Sequence, residues 1–219
     1  MSRRAVILLG GSEHARLVAG AIRSQPDSFE LIGFVDPNPD RGMSPSLRLP
    51  YLGDDTTLAR YPDALAVLAF ASPQSSSARR EAVERLASIV GGWATVVHRD
   101  ARVAPDAMIG EGTVVLEGAL VQTGARIGAH CVINATAGVG HDVAIGDHTL
   151  VSPGVVLGGG ASVGAGAFLG LGALIRDHCT VGAGAFVGMG AVVVRDVVPG
   201  ARVFPRGDAV PEWPEWKSQ

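Results

Sequence analysis

The sequence predicts a small α/β unit with a Rossmann-like parallel sheet, followed by a parallel β-helix of six-residue repeats. Three observations carry this reading. Stepping by six from Val103 meets Val, Ile or Leu at sixteen consecutive positions, ending at Val193. Small residues recur two positions earlier, as at Ala107, Thr113, Ala119, Ala125, Cys131, Ala137 and Ala167. Ahead of the repeat, short apolar runs alternate with helical patterns, the mark of a doubly wound parallel sheet.

The elements of the first unit follow in order. Residues 5–10 read as a buried strand; the basic flank Ser2-Arg3-Arg4 and the run's shortness do not make a signal peptide. Gly10-Gly11-Ser12-Glu13-His14 then turns into a helix reaching about Ser24. Leu31–Val35 is a second strand ending at Asp36-Pro37-Asn38-Pro39. Ala64–Phe70 is another, followed by Ala71-Ser72-Pro73-Gln74 and a helix over about 77–89. Parallel sheets bind ligands at the carboxyl ends of their strands, so loops 10–14, 36–39 and 71–74 should cluster. The glycine loop departs from G-x-G-x-x-G, with Ser12 and Ala15 in the second and third glycine slots. It suits a phosphate or nucleoside at a helix N-terminus better than a dinucleotide. Asp36 can accept hydrogen bonds from a ribose or base, or serve as a turn residue before proline.

In the repeat, the period of two along a strand turns each aliphatic and its small companion to one inward side. The glycine that follows the aliphatic at nine positions, among them Gly110, Gly146 and Gly164, is expected to supply the backbone conformation of a tight corner. Three hexads make one triangular coil of eighteen residues, with coils about 4.8 Å apart. Val97 extends the frame backwards, Pro199 interrupts it, and Phe204 suggests that coiling resumes. Phe168, Phe186 and Phe204 are eighteen apart and predict an outward ladder. Trp213-Pro214-Glu215-Trp216 is expected to pack rather than stay exposed. The division is therefore 1–95, 96–204 and a tail of 205–219.

Composition excludes several function classes. Thirty glycines rule out a helical bundle, and 47% hydrophobic residues rule out a disordered chain. A net charge of −3 argues against a dedicated nucleic-acid binder. Two cysteines give no disulfide framework, and no apolar run approaches a membrane span of about 20 residues. A cytoplasmic protein with no membrane partner is expected.

The chemistry is expected at one corner of the coil. His141 follows Gly140 and precedes Asp142, and eighteen residues on lies Gly159, within Gly158-Gly159-Gly160. An imidazole beside bare backbone can handle a proton next to an amide N–H that stabilises an oxyanion. Asp142 would fix the imidazole's tautomer. His130 and His148 also differ by eighteen and should stack, as surface histidines. Cys131 and Cys179 fall on inward positions, so no metal site is expected.

The loop Gly-Gly-Ser-Glu-His-Ala, the run Gly33-Phe34-Val35-Asp36, Ile133-Asn134 and Gly140-His141-Asp142-Val143-Ala144-Ile145-Gly146 together resemble a bacterial sugar acetyltransferase family. That family comprises nucleotide-sugar 4-N-acetyltransferases and sialic-acid O-acetyltransferases, and the nearest likeness is to its GDP-perosamine-acting members. The resemblance spans nearly the whole chain. It implies a left-handed β-helix, a homotrimer with active sites between subunits, and acetyl-CoA as co-substrate. It places His141 and Asp142 in catalysis. It places His14 near the sugar, Asn134 near the acetyl group and the Gly159 N–H at the thioester oxygen; the positions of the loops add Gly11, Ser12, Glu13, Asp36 and Pro37 as expected sugar-nucleotide contacts and Gly160 as an expected cofactor contact. Relatives often carry glycine where this chain has Ser12 and Glu13, and a second histidine where it has Leu150. The expected reaction is acetyl transfer to the 4-amino group of a nucleotide-linked dideoxy sugar, against alternatives of transfer to a hydroxyl or a non-enzymatic trimeric scaffold.

Overall fold

The computed structural model describes residues 3–38, 47–73 and 75–205. Four parallel strands, β1 (Arg4–Leu9), β2 (Phe29–Val35), β3 (Tyr51–Gly53) and β4 (Leu65–Leu68), form a sheet ordered β3-β2-β1-β4. Two helices, α1 (Glu13–Arg23) and α2 (Ser76–Leu86), cover opposite faces. Alternation along β1 explains the split, since successive side chains point to opposite faces. Val6 and Leu8 pack with Val18 and Ile22 of α1, while Ile7 and Leu9 pack with Ala82 and Leu86 of α2. The strands and helices expected from the apolar runs are all present. The edge strand β3 and the 3₁₀ turn Asp55–Arg60 escaped the pattern because both are short and polar-flanked. Among the described residues no helix is long and apolar enough to cross a membrane.

The second unit winds as a left-handed parallel β-helix. Two-residue strands stack into three faces of seven, six and five strands among the described residues. The first face runs from Val96–Val97 to Arg202–Val203, the second from Arg102–Val103 to Val192–Val193, the third from Met108–Ile109 to Thr180–Val181. Register advances by eighteen, as in Ile133 beside Val115 and Val151. The aliphatic and small inward positions form one continuous core, including Ala125, Cys131, Ile133, Val151 and Leu169. The α/β unit docks on the first face, where α1 and β1 share a core with Val96, Val114 and Leu116.

Two details of the repeat differ from expectation. The glycines that directly follow the aliphatics do not hold the left-handed corner. That conformation falls two residues later, at Gly112, Gly118, Gly124, Gly154 and their equivalents, with φ near +67°. The earlier glycines are needed for close approach between coils. A Cβ on Gly146 would lie 2.5 Å from the Ala165 nitrogen, and one on Gly164 2.3 Å from that of Ala183. At five coil positions a non-glycine residue takes the left-handed turn: His130, Thr136, Asp142, His148 and His178. Asp and His tolerate that region better than most side chains.

The last coil is two residues short. Phe168 pairs in register with Phe186, and the rings stack at 5.1 Å. Phe186, however, pairs with Arg202, sixteen residues on, and the Arg202 guanidinium lies 4.4 Å from its ring centre. Phe204 meets Phe186 obliquely, at 5.7 Å and 44°. The aromatic ladder is therefore capped by a cation rather than extended in register. The Trp213–Trp216 segment and the tail lie outside the described residues.

Candidate active site

Two groups of predicted residues assemble, at different places. The first is at the carboxyl ends of β1 and β2. Gly10 takes φ +103°, which turns the chain from β1 towards α1. The Asp36 carboxylate accepts a hydrogen bond from the Gly11 N–H at 2.9 Å and from the Asn38 N–H at 2.8 Å. Asp36 is thus buried and already partnered by main chain, so its first task is to lock the glycine loop to the end of β2. Ser12 donates from Oγ to the Ala69 carbonyl at 3.2 Å, tying the loop to β4. Glu13 and Pro37 are exposed. His14 is half-buried, and its Nε2 is buried without a hydrogen-bond partner. Burial, with Arg79 nearby, pushes its pKa down to about 4, so the imidazole is neutral near pH 7.

The second group lies at the corner between the second and third faces. His141 Nδ1 stands 2.9 Å from Asp142 Oδ2. An ionised carboxylate can only accept, so Nδ1 carries the proton and Nε2 presents a lone pair. The His141 N–H donates to Gln122 Oε1 at 3.0 Å, which seats the corner. The ring lies directly against Gly159: a Cβ there would be 2.3 Å from His141 Nε2. Gly160 donates its N–H to the His141 carbonyl at 2.8 Å. The Gly159 N–H, by contrast, is taken by no acceptor among the described residues. One open amide donor and one open imidazole acceptor therefore share the corner. His141 and Asp142 side chains are 58% and 71% exposed, so substrates can reach them. A groove beside His141 is lined by Arg102, Leu120, Gln122 and Thr123.

Asn134 belongs to neither group. It lies at the corner between the first and second faces, and its Oδ1 accepts from the Ala135 N–H at 2.8 Å. Nor does any contact join His14 to His141 within the chain among the described residues.

The other corner histidines correct the surface reading. His130 and His148 do stack, at 5.2 Å and 13°. They are covered, however: Trp93 sets its edge on His130 at 4.8 Å, and His130 is only 4% exposed. The repeat alone did not show that α2 and Trp93 would close over that corner. Sequence reasoning also missed Arg79, which is fully buried. The signal was available, because Arg79, Ala82 and Leu86 fall at helical spacing on the buried stripe of α2.

Burial, with His148 and Arg79 nearby, pushes the His130 pKa down to about 4. Its ordinary value, and that of His14, is 6.5. Between those two values the unfolded chain binds more protons than the folded one, so stability falls as pH drops. We expect the urea midpoint to decline from pH 6.5 to pH 4, and His130→Asn to flatten the decline.

A family model described as bacterial transferase hexapeptide (six repeats) matches residues 124–159, the stretch that holds His141 and Gly159. That stretch carries the hexapeptide repeat. Solved structures match the chain over both of its units. PerB from Caulobacter crescentus, in complex with CoA and GDP-perosamine, is 29% identical, with 93% of this chain and 95% of that chain covered and a TM-score of 0.82. The acetyltransferase domain of PglB from Neisseria gonorrhoeae, in complex with acetyl coenzyme A, is 28% identical over 93% and 97%, with a TM-score of 0.83. WeeI from Acinetobacter baumannii, 24% identical over 91% and 95%, shares the fold with a TM-score of 0.80. No curated protein sequence matches the chain significantly.

Proposed function

We propose that this hexapeptide protein transfers the acetyl group of acetyl-CoA to the 4-amino group of a nucleotide-linked 4-amino-4,6-dideoxy sugar, with GDP-perosamine the favoured substrate. The observation that carries the reading is the pairing of the free His141 Nε2 with the free Gly159 N–H at one exposed corner. Whole-length likeness to PerB with its CoA and GDP-perosamine supports the substrate class.

The neutral amine attacks the thioester carbonyl carbon, and a C–N bond forms. Negative charge gathers on the carbonyl oxygen, which the Gly159 N–H stabilises. The amine's proton passes to His141 Nε2 while Asp142 holds Nδ1–H and steadies the imidazolium. The C–S bond then breaks, and CoA leaves as a thiolate that takes up a proton. Gly160, whose N–H is already engaged by the His141 carbonyl, shapes the corner rather than donating to substrate. The sugar nucleotide sits at the glycine loop of Gly11 and Ser12, with its phosphates at the N-terminus of α1 and the Glu13 carboxylate accepting from its hydroxyls. His14, Asp36 and Pro37 complete that contact, and Asn134 stands near the acetyl group.

The active site is shared between copies of the chain in a homotrimer. His14, His141 and Asn134 stand at separate places on a single chain, which supports a site completed across a subunit boundary. The second face offers the seam: Leu120, Val156, Leu174 and Val192 form an exposed aliphatic ladder in register around Gly138.

Thiol release from acetyl-CoA tests the reading, with GDP-, UDP- and dTDP-linked 4-amino sugars and sialic acid as acceptors. We expect release with one amino-sugar nucleotide and an alkali-stable product carrying one added acetyl group. Release with sialic acid alone, giving an alkali-labile ester, would move the site to oxygen chemistry. No release and no CoA binding would make the protein a scaffold.

A further inference from the structure

Arg79 is the largest fully buried side chain in the described molecule, and it has no carboxylate partner. Its guanidinium donates to two main-chain carbonyls. One is Phe70, just past the end of β4; the other is His130 in the β-helix, at 2.8 Å. The Phe70 ring packs where a Gly10 side chain would be, so the first bond leads straight to the glycine loop. Four buried nitrogens without hydrogen-bond partners belong to this neighbourhood: Arg79 Nε, His14 Nε2, His130 Nδ1 and His148 Nδ1. Arg79 bears electrostatically on all three histidines.

A buried cation without a counter-charge is expensive, and an apolar side chain would fill the same stripe of α2 more stably. A simple staple between the units therefore does not explain an arginine. Its fork does what a hydrocarbon cannot. One prong fixes the loop that carries His14, and the other fixes the β-helix that carries the transfer corner.

We infer that Arg79 is a positioning residue for the acceptor: it holds His14 and the glycine loop at a set distance from the β-helix. This rests on the acetyl-transfer reading above. The charge has a second effect. Burial already disfavours a protonated His14, and the Arg79 charge adds to that, so His14 stays neutral and does not repel an amine-bearing sugar. Arg79 on α2 is the charged group that acts on His14. Asp147, Arg80 and Glu84 act instead on the stacked pair, Asp147 on both rings and the other two on His148.

Arg79→Met and Arg79→Lys test this by steady-state kinetics and by NMR titration of ¹³Cε1-labelled histidine, with the His14 signal assigned by its loss in His14→Gln. In Arg79→Met we expect KM for the sugar nucleotide to rise roughly tenfold or more, and KM for acetyl-CoA to stay within about twofold. The His14 titration should move up towards its ordinary range. Arg79→Lys should keep that titration low while recovering acceptor binding only in part, since a lysine restores the charge and not the fork. An unchanged His14 titration, with both KM values altered alike or not at all, would reduce Arg79 to a structural staple. If Arg79→Met does not fold, the lysine variant decides by the same split. If the wild-type protein transfers no acetyl group, the transfer reading fails on its own. Calorimetric binding of GDP, UDP and dTDP, with the His14 titration, then decides whether Arg79 positions the acceptor loop.

Discussion

His141→Asn should lower kcat by about 10²-fold or more, with both KM values and the melting temperature close to wild type. The side chain is more than half exposed, and its replacement leaves no cavity and no orphaned partner in the core. Asparagine keeps polarity and bulk but has no nitrogen that can accept a proton. The Nδ1–H bond to Asp142 identifies Nε2 as the acceptor, and that nitrogen lies against the Gly159 backbone where the thioester would be held. A loss much below tenfold would mean that enough amine is neutral at working pH to react without a base. That outcome is chemically reasonable for an amino sugar, whose ring oxygens withdraw electron density from the amine. His141 would then orient the nucleophile, and the pH profile of kcat would follow the amine rather than an enzyme group.

Asp142 illustrates how sequence and geometry meet at this corner. Its φ of 57° lies where most side chains are strained, yet aspartate is among the residues that accept it. Adjacent placement then brings its carboxylate to His141 Nδ1 with no long-range contact, so the pair could be read directly from two neighbouring letters. The sixfold period was legible for a similar reason. Every inward position repeats at a spacing set by strand geometry, and nothing outside the coil is needed to see it. The interruption at Pro199 was legible, but its size was not, because a coil shortened by two residues keeps its aliphatics and moves them to Val197 and Val203. The role of the glycines after the aliphatics was misread because a turn residue and a close-approach residue leave the same letter. Only the distance to the next coil separates them. His130, His148 and Arg79 were hidden for another reason. Their burial depends on how α2 and Trp93 settle on the β-helix, a contact between segments 51 residues apart, as in the Arg79–His130 bond.

Gly159→Ala should abolish most activity without unfolding the protein, and Gly158→Ala should do the reverse. The two positions are neighbours, but the space above each differs. A Cβ on Gly158 would lie 2.4 Å from the Asp177 nitrogen and 2.8 Å from its Cα, which are backbone atoms of the next coil. Accommodating it requires the coils to separate, at a cost of roughly 1–3 kcal/mol in stability. The three atoms nearest a Cβ on Gly159 all belong to the His141 ring, the first at 2.3 Å (Nε2) and the second at 2.6 Å (Cε1). That exposed ring can rotate away. Gly159 also lies outside the left-handed region, so alanine fits its backbone. The melting temperature of Gly159→Ala should therefore stay within about 3 °C of wild type. Its kcat should fall about 10²-fold, because the methyl group both displaces the imidazole and shields the one N–H left open for the oxyanion. Denaturant midpoints and kcat measured on the two variants separate coil packing from catalysis. A Gly159→Ala enzyme with undiminished kcat would show that the developing charge is stabilised somewhere other than this amide.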